Sequence, residues 1–276
     1  MPGKTSIEWT DDSWNPVTGC TKVSPGCDHC YAETFAERWR GTPGHPYEQG
    51  FDLKLWPFRL ELPLHWKKPR KIFVNSMSDW CHEGIPDEFI IQMFRTMIRA
   101  DQHIYQLLTK RAPRMVKLVP LLSDLIKDMT GSSTWPSHIW LGVTIESHAQ
   151  IGRLNHLVQV PSAVRFISYE PALGPLGDIS LANIQWLICG AESGHGARTM
   201  EDDWARQARD LCERDGVAFF FKQKADKSGH KISLPALDRK VWDESPHRCH
   251  CCDVVTAPWN GEQIDEKYWL CFECIK

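Results

Sequence analysis

Three cysteines near the start of the sequence have a spacing that could hold a metal centre. They are Cys20, Cys27 and Cys30, and Pro25-Gly26 between them is typical of a turn. Three thiolates on one loop can bind three irons of a 4Fe–4S cluster and leave the fourth iron open for another ligand. Zinc is the competing interpretation, because His29 would complete a structural site and a water would complete a catalytic one. The spacing alone leaves both metals open.

A second group of cysteines forms two CxxC pairs near the end of the sequence. Four thiolates at this spacing are typical of structural zinc, and the ligands that we expect are Cys249, Cys252, Cys271 and Cys274. A second iron–sulfur cluster is the alternative, and Cys251, His247 and His250 are spare ligands. We interpret residues 247–276 as a small zinc-ribbon-like module with four cysteine ligands and residues 225–246 as a linker to it.

Residues 1–224 alternate short apolar strands with helices. The pattern predicts strands over 72–75, 104–108, 139–143, 164–168, 184–188 and 217–221, and helices over 86–100, 114–129, 147–158 and 202–215. Continuous apolar strands separated by helices predict an α/β fold with a parallel sheet, and thus a partial or closed (βα) barrel. An open doubly wound sheet is the alternative. Residues 40–69 are rich in Pro, Gly and Trp, and we interpret them as an insertion.

Polar or charged side chains follow each of these strands. Because the carboxyl ends of barrel strands meet at the rim where active sites lie, such residues predict an active site there. They are Ser76, Ser78, Asp79, Thr109, Lys110, Glu146, Glu170, Glu192, Ser193 and Lys222. The alternative for each acid is a structural salt bridge with a nearby base such as Arg111 or Arg198.

Seven ordered motifs give the sequence a family resemblance. They are WNPVTGCTKVSPGCDHCYAE, IFVNSMSDW, QLLTKRAPRM, WLGVTIES, RFISYEPALGPL, WLICGAESGHGAR and FFFKQ, within residues 5–224. In this combination the chain resembles the phage-associated three-Cys-motif family, which is regarded as radical S-adenosylmethionine-like. The usual radical signature is C-x3-C-x2-C, whereas the first gap here is six residues and His29 precedes the third cysteine.

The resemblance implies a set of cofactors, and the positions of the strand-end residues suggest a role for each. Cys20, Cys27 and Cys30 would ligate a 4Fe–4S cluster whose open iron would bind S-adenosylmethionine. The residues expected to bind this cofactor are Ser76, Ser78, Thr109, Lys110, Glu192 and Ser193. The expected catalytic residues are Asp79, Glu146, Glu170 and Lys222. The expected partners are a nucleic acid base or nucleotide as substrate and an electron donor such as a flavodoxin or ferredoxin.

Composition narrows the class of protein. The chain has 276 residues, of which 42% are hydrophobic and 24% charged, so a large folded core is expected and wholesale disorder is not. No apolar run approaches the length of a membrane span, and residues 1–12 lack the apolar segment of a signal peptide. We therefore expect a cytoplasmic protein with reduced thiols.

Two other functions fit parts of the sequence. A zinc-dependent hydrolase or deaminase could use the same three cysteines with Glu33, but the HxE and PCxxC pattern of deaminases is missing. A non-catalytic adaptor could bind nucleic acid or a partner protein through the zinc ribbon and the basic run 67–71 beside Trp66. The polar strand ends argue against the adaptor.

Overall fold

The computed structural model describes residues 5–248, 255–256, 261–265 and 268–271. The strands in chain order are β1 (Asp12–Trp14), β2 (Val17–Thr18), β3 (Lys54–Leu55), β4 (Lys71–Val74), β5 (Ile104–Thr109), β6 (Ile139–Thr144), β7 (Arg165–Tyr169), β8 (Trp186–Gly190), β9 (Ala218–Ala225), β10 (Lys231–Ser233), β11 (Ala236–Leu237), β12 (Lys240–Val241), β13 (His247–Arg248), β14 (Val255–Thr256), β15 (Gly261–Asp265) and β16 (Tyr268–Cys271). The helices are α1 (Tyr31–Glu37), α2 (Asp87–Arg99), α3 (Ala112–Thr130), α4 (Gly152–Leu157) and α5 (Asp202–Asp215). In these ranges, no helix has the length and apolarity that crossing a membrane requires.

The fold is mixed α/β, and eight of the strands form its main sheet. All six strands predicted from apolar runs are present, and helices or helical turns follow four of them. The predicted α/β class with a partial (βα) barrel is confirmed. The chain divides into two compact units, one of residues 1–139 with 159–161 and the other of the remaining residues.

Unit 1 has a parallel core that positions the cysteine loop. β1 pairs with β4 and β4 pairs with β5, all in parallel. Helix α2 begins with Asp87 and Glu88, whose charges suit a helix amino terminus, and it buries Phe94 and Met97 on its apolar face. The short strands β2 and β3 pair antiparallel, so the segment interpreted as an insertion lies against the chain just before the cysteines.

Unit 2 contains the other strands of the main sheet. β6, β7, β8 and β9 pair in parallel in that order, and β10 pairs antiparallel with β9. All residues of β6 and β8 are buried, which explains their unbroken apolar sequences. The segment interpreted as a linker packs on this unit: Leu237 and Trp242 are buried, and the Phe221 amide donates to the Trp242 carbonyl at 2.7 Å. The linker boundaries, residues 225–246, stay a prediction.

The predicted zinc module falls mostly outside the described residues. β13 pairs with β14 and β15 pairs with β16, both antiparallel. Cys271 is the last residue of β16, whereas Cys249, Cys252 and Cys274 lie outside the described residues. The zinc site therefore stays a prediction.

Candidate functional site

The cysteine loop runs from the end of β2 to the start of α1 in unit 1. A close backbone approach fixes where it begins: Gly19 has a φ of +85°, and a Cβ there would lie 2.2 Å from the Asp52 carbonyl oxygen. Only glycine fits this position. The Cys20 amide then donates to the Phe51 carbonyl at 3.2 Å, and Cys30 caps the amino end of α1. Residues on both sides of the loop thus hold its two ends.

The three thiols of this loop form no disulfide and are half-buried. Burial, with the charge of Asp79, raises the pKa of Cys20 to about 11 against the pull of Arg111. Burial also raises the pKa of Cys30. Cys20 is therefore protonated at neutral pH in this structure. Within the described ranges, no three His, Cys, Asp or Glu side chains lie together closely enough to hold a metal ion.

A buried arginine ties this loop to the ends of two strands. Arg111 is the second residue after β5, and its side chain is only 4% exposed. Its Nη1 donates to Asp79 Oδ2 at 3.0 Å and to Cys20 Sγ at 3.4 Å. Its Nη2 donates to the carbonyl and Oγ1 of Thr21 at 2.9 and 2.8 Å, and its Nε donates to Glu83 Oε2 at 2.8 Å. All three nitrogens of the guanidinium are therefore engaged, and one of them contacts a predicted metal ligand.

Asp79 is the counter-charge at the centre of this network. Its Oδ1 accepts from Thr109 Oγ1 at 2.7 Å and from the Cys81 amide at 2.9 Å. Its Oδ2 accepts from the Lys110 amide at 3.0 Å as well as from Arg111. Both oxygens are engaged by protein donors, so the structure gives Asp79 an anchoring role, and its predicted catalytic role stays a prediction.

The predicted serines after β4 are also engaged with the protein. Ser76 Oγ lies 3.0 Å from the side-chain nitrogen of Asn15, and its carbonyl accepts from the Tyr31 hydroxyl at 2.5 Å. Ser78 Oγ donates to the Val17 carbonyl at 3.0 Å. These contacts fasten the end of β4 to the loop. Lys110, in contrast, has no ion-pair partner among the described residues, and its charge lowers the pKa of Cys30 against the effect of burial.

Sequence reasoning missed part of this network. The sequence places Arg111 among the residues that follow a predicted strand but assigns it no role beyond a salt bridge, and it gives no reason to select Thr21 or His82. His82 Nε2 lies 3.0 Å from Thr21 Oγ1, and burial with the charge of Arg111 lowers the pKa of His82. The position of Arg111 after Thr109-Lys110 is visible in the sequence, whereas its contacts with Cys20 and Thr21 are not.

The strand ends of unit 2 hold three acid–base pairs. Glu146, 1% exposed, pairs with Arg153 at 2.8 Å after β6. Glu192 pairs with Arg198 after β8. The third pair joins Glu170 Oε1 to Lys222 Nζ at 2.8 Å, with side chains 13% and 16% exposed. Ser168 Oγ also donates to Glu170 Oε2 at 3.3 Å. Ser193 is exposed and forms no hydrogen bond with the residues that the structure describes.

The Glu170–Lys222 pair gives a first testable prediction. We expect Lys222→Met to lower the free energy of unfolding by roughly 2 to 3 kcal/mol, because it leaves the partly buried Glu170 carboxylate without its counter-charge. Lys224→Met is the matched control, since Lys224 lies on the same strand but pairs with Asp202 in a more exposed position. Its expected cost is below about 1 kcal/mol. Urea denaturation measures both, and equal losses would contradict the prediction.

Comparison with known proteins places the chain in a family. Residues 4–267 match the family described as "Protein of unknown function (DUF5131)", and the chain belongs to that family. Among solved structures, the chain is similar to spore photoproduct lyase complexed with dinucleoside spore photoproduct, with a TM-score of 0.46 and 11% identity over 93% of this chain and 70% of that chain. A mutant of that lyase gives a TM-score of 0.42 and 12% identity over 84% and 70% of the two chains. No curated protein matches the sequence.

Proposed function

We propose that this chain is a radical S-adenosylmethionine-like enzyme that binds a 4Fe–4S cluster through Cys20, Cys27 and Cys30. The observation that carries this proposal is the loop itself, which holds three half-buried thiols that form no disulfide. The buried Arg111 joins the first of them, Cys20, to Asp79 after β4. The motif resemblance supports it. Membership of the phage-associated three-Cys-motif family stays a prediction, because the family whose model matches is described only as a protein of unknown function.

The donor set fits an iron–sulfur cluster. Thiolates are the ligands that such clusters take, and three of them leave one iron open. The three side chains would have to be drawn together and lose their protons on binding, and burial opposes that loss at Cys20 and Cys30. The positive charges of Arg111 and Lys110 act in the opposite direction. A bound cluster would supply the electron that cleaves S-adenosylmethionine and starts radical chemistry.

The chain's own residues would hold and orient the reactants. Lys110 is the predicted cofactor residue whose ionic group is unpaired among the described residues, so it suits the carboxylate of S-adenosylmethionine. We assign supporting cofactor contacts to Ser76, Ser78, Thr109, Glu192 and Ser193, and substrate contacts to Glu146, Glu170 and Lys222. The proposed substrate is a nucleic acid base or nucleotide, and the electron donor is a flavodoxin or ferredoxin. Structural zinc is proposed at Cys249, Cys252, Cys271 and Cys274.

Metal and sulfide analysis of anaerobically purified protein tests the proposal. We expect about four irons and four sulfides per chain with broad visible absorption, together with about one zinc. S-adenosylmethionine cleavage by the reduced protein is the second expected result. Zinc alone, with no iron even after reconstitution, would contradict the cluster. It would favour a zinc hydrolase or deaminase, although Glu33, its proposed acid, is paired with Lys22 at 3.1 Å.

A further inference from the structure

Unit 1 carries a second concave surface, made of residues that the cysteine site does not use. A cavity of about 320 Å³ lies between the segment 57–61 and helix α2. Arg95 and Arg99 line it from α2, and Glu61 lines it from the opposite segment. The two arginines are four positions apart, so they stand on one face of the helix about 6 Å from each other.

The charges of this cavity are not neutralised within the protein. Arg95 and Arg99 are exposed, and neither forms a hydrogen bond or ion pair in the part of the chain that the structure describes. Other arginines of unit 1, such as Arg40, Arg70 and Arg111, are paired with acids. Two forked guanidinium groups therefore face the cavity against one acid, Glu61, which suits phosphate oxygens.

An open aromatic ring stands on the segment that forms one wall. Phe58 is 71% exposed, the largest value among the exposed large hydrophobic residues. The ring centres of Phe58 and Trp56 lie 5.6 Å apart in an edge-to-face arrangement. Trp56 is itself engaged, since Lys54 lies 4.1 Å and Arg59 4.3 Å from its ring centre. The Arg59 guanidinium also lies 5.6 Å from the Phe58 ring centre, and most of the ring remains open to solvent.

We infer that this cavity and Phe58 form a binding site for single-stranded nucleic acid. Arg95 and Arg99 bind neighbouring phosphates, and Phe58 stacks on a base. Phe58 does not line the cavity itself but lies on the segment that forms the wall opposite the two arginines. Unpaired arginines and an exposed ring are the combination that single-strand binding requires, because the backbone is held by charge and the bases by stacking. A small anion would use only the arginines. The inference goes beyond the proposed function, since binding here requires neither cluster nor catalysis.

Fluorescence anisotropy with a labelled single-stranded DNA oligonucleotide tests this site in the full-length protein. We expect R95E/R99E to weaken binding at least tenfold. It should also reduce the slope of log K against log salt by about 1.4, the value for two lost phosphate contacts on a single strand. F58A should weaken binding about tenfold with an unchanged salt slope, because it removes stacking and no charge.

The matched control is K117E/K227E, which makes the same change in net charge at two exposed lysines outside this cavity. Neither lysine forms a hydrogen bond or ion pair with the described residues. This control should bind the oligonucleotide within about twofold of wild type if the effect is local. Equal losses in both double variants would overturn the site, as would wild-type binding by R95E/R99E. Displacement by inorganic phosphate with no effect of F58A would also overturn it in favour of a simple anion site. Circular dichroism verifies folding, and iron content, measured separately, reports on the cysteine loop.

Discussion

Cys27→Ala protein, purified without oxygen and reconstituted, should contain about tenfold less iron than wild type and lack its visible absorption. Each of the three loop cysteines is proposed to hold one iron, so losing one leaves an iron with no protein ligand. We expect the same result for Cys20→Ala and Cys30→Ala. Iron and sulfide analysis with absorption spectra measures the loss.

Cys212→Ala is the matched control. Cys212 is buried in helix α5 at 1% exposure, far along the sequence from the loop. This variant should keep its iron, because burial already holds the pKa of this thiol well above its usual value and no metal role is proposed for it. Full iron retention in Cys27→Ala would remove the cluster from this loop. Loss of one zinc instead of iron would support the zinc interpretation of the loop.

The same analysis separates the two cysteine groups. Cys252→Ala or Cys274→Ala should remove about one zinc and leave the iron content unchanged, because these residues are proposed to belong to a separate zinc site of four thiolates. Loss of iron from these variants would instead indicate a second cluster at the end of the sequence.

The sequence predicts the strands well, because each strand is a local feature. The run 139–143 is apolar at nearly every position and becomes β6, whose residues are all buried. The polar residues after the strands could be located in the same way. Their partners could not: Arg111 contacts Cys20 across 91 positions of sequence and Asp79 across 32. No periodicity encodes such a pairing.

The sequence also does not predict the structure of the region between the cysteines and β4. Its Pro, Gly and Trp content indicated only irregular structure. In the fold, Gly19 passes so close to Asp52 that a side chain is excluded, and Trp56 donates to Thr18 Oγ1 at 2.8 Å. These contacts depend on the pairing of β2 with β3, which lie far apart in the sequence. Residues of the same segment line the cavity beside helix α2, which composition did not predict.

Replacing Arg111 should destabilise the protein far more than replacing an arginine whose ion pairs lie at the surface. Arg111→Met is expected to lower the free energy of unfolding by about 3 kcal/mol, because it leaves the buried carboxylate of Asp79 without its counter-charge. It also removes the Nη2 donor from the Thr21 carbonyl, which then keeps only the weaker Cys20 thiol donor at 3.5 Å. Urea denaturation of the metal-free protein measures this loss. Arg40→Met is the control: Arg40 contacts Glu37 and Asp52 at the surface, so its removal should cost much less.

A double-mutant cycle decides whether Arg111 acts through Asp79 or through the cysteine loop. If the ion pair dominates, Arg111→Met with Asp79→Asn should be markedly more stable than the sum of the single losses implies, since no unpaired charge remains.

Iron reconstitution gives the second readout. Loss of the Nη1 contact frees Cys20, so both Arg111→Met and the double variant should take up iron more slowly than wild type. Arg111→Lys should keep much of the stability but not the rate, because an ammonium cannot reach Asp79, Thr21 and Cys20 in the fixed geometry of the guanidinium fork. Wild-type iron uptake in all three variants would show that Arg111 only stabilises the fold. Slower uptake in a double variant of restored stability would show that it positions the first cysteine of the site.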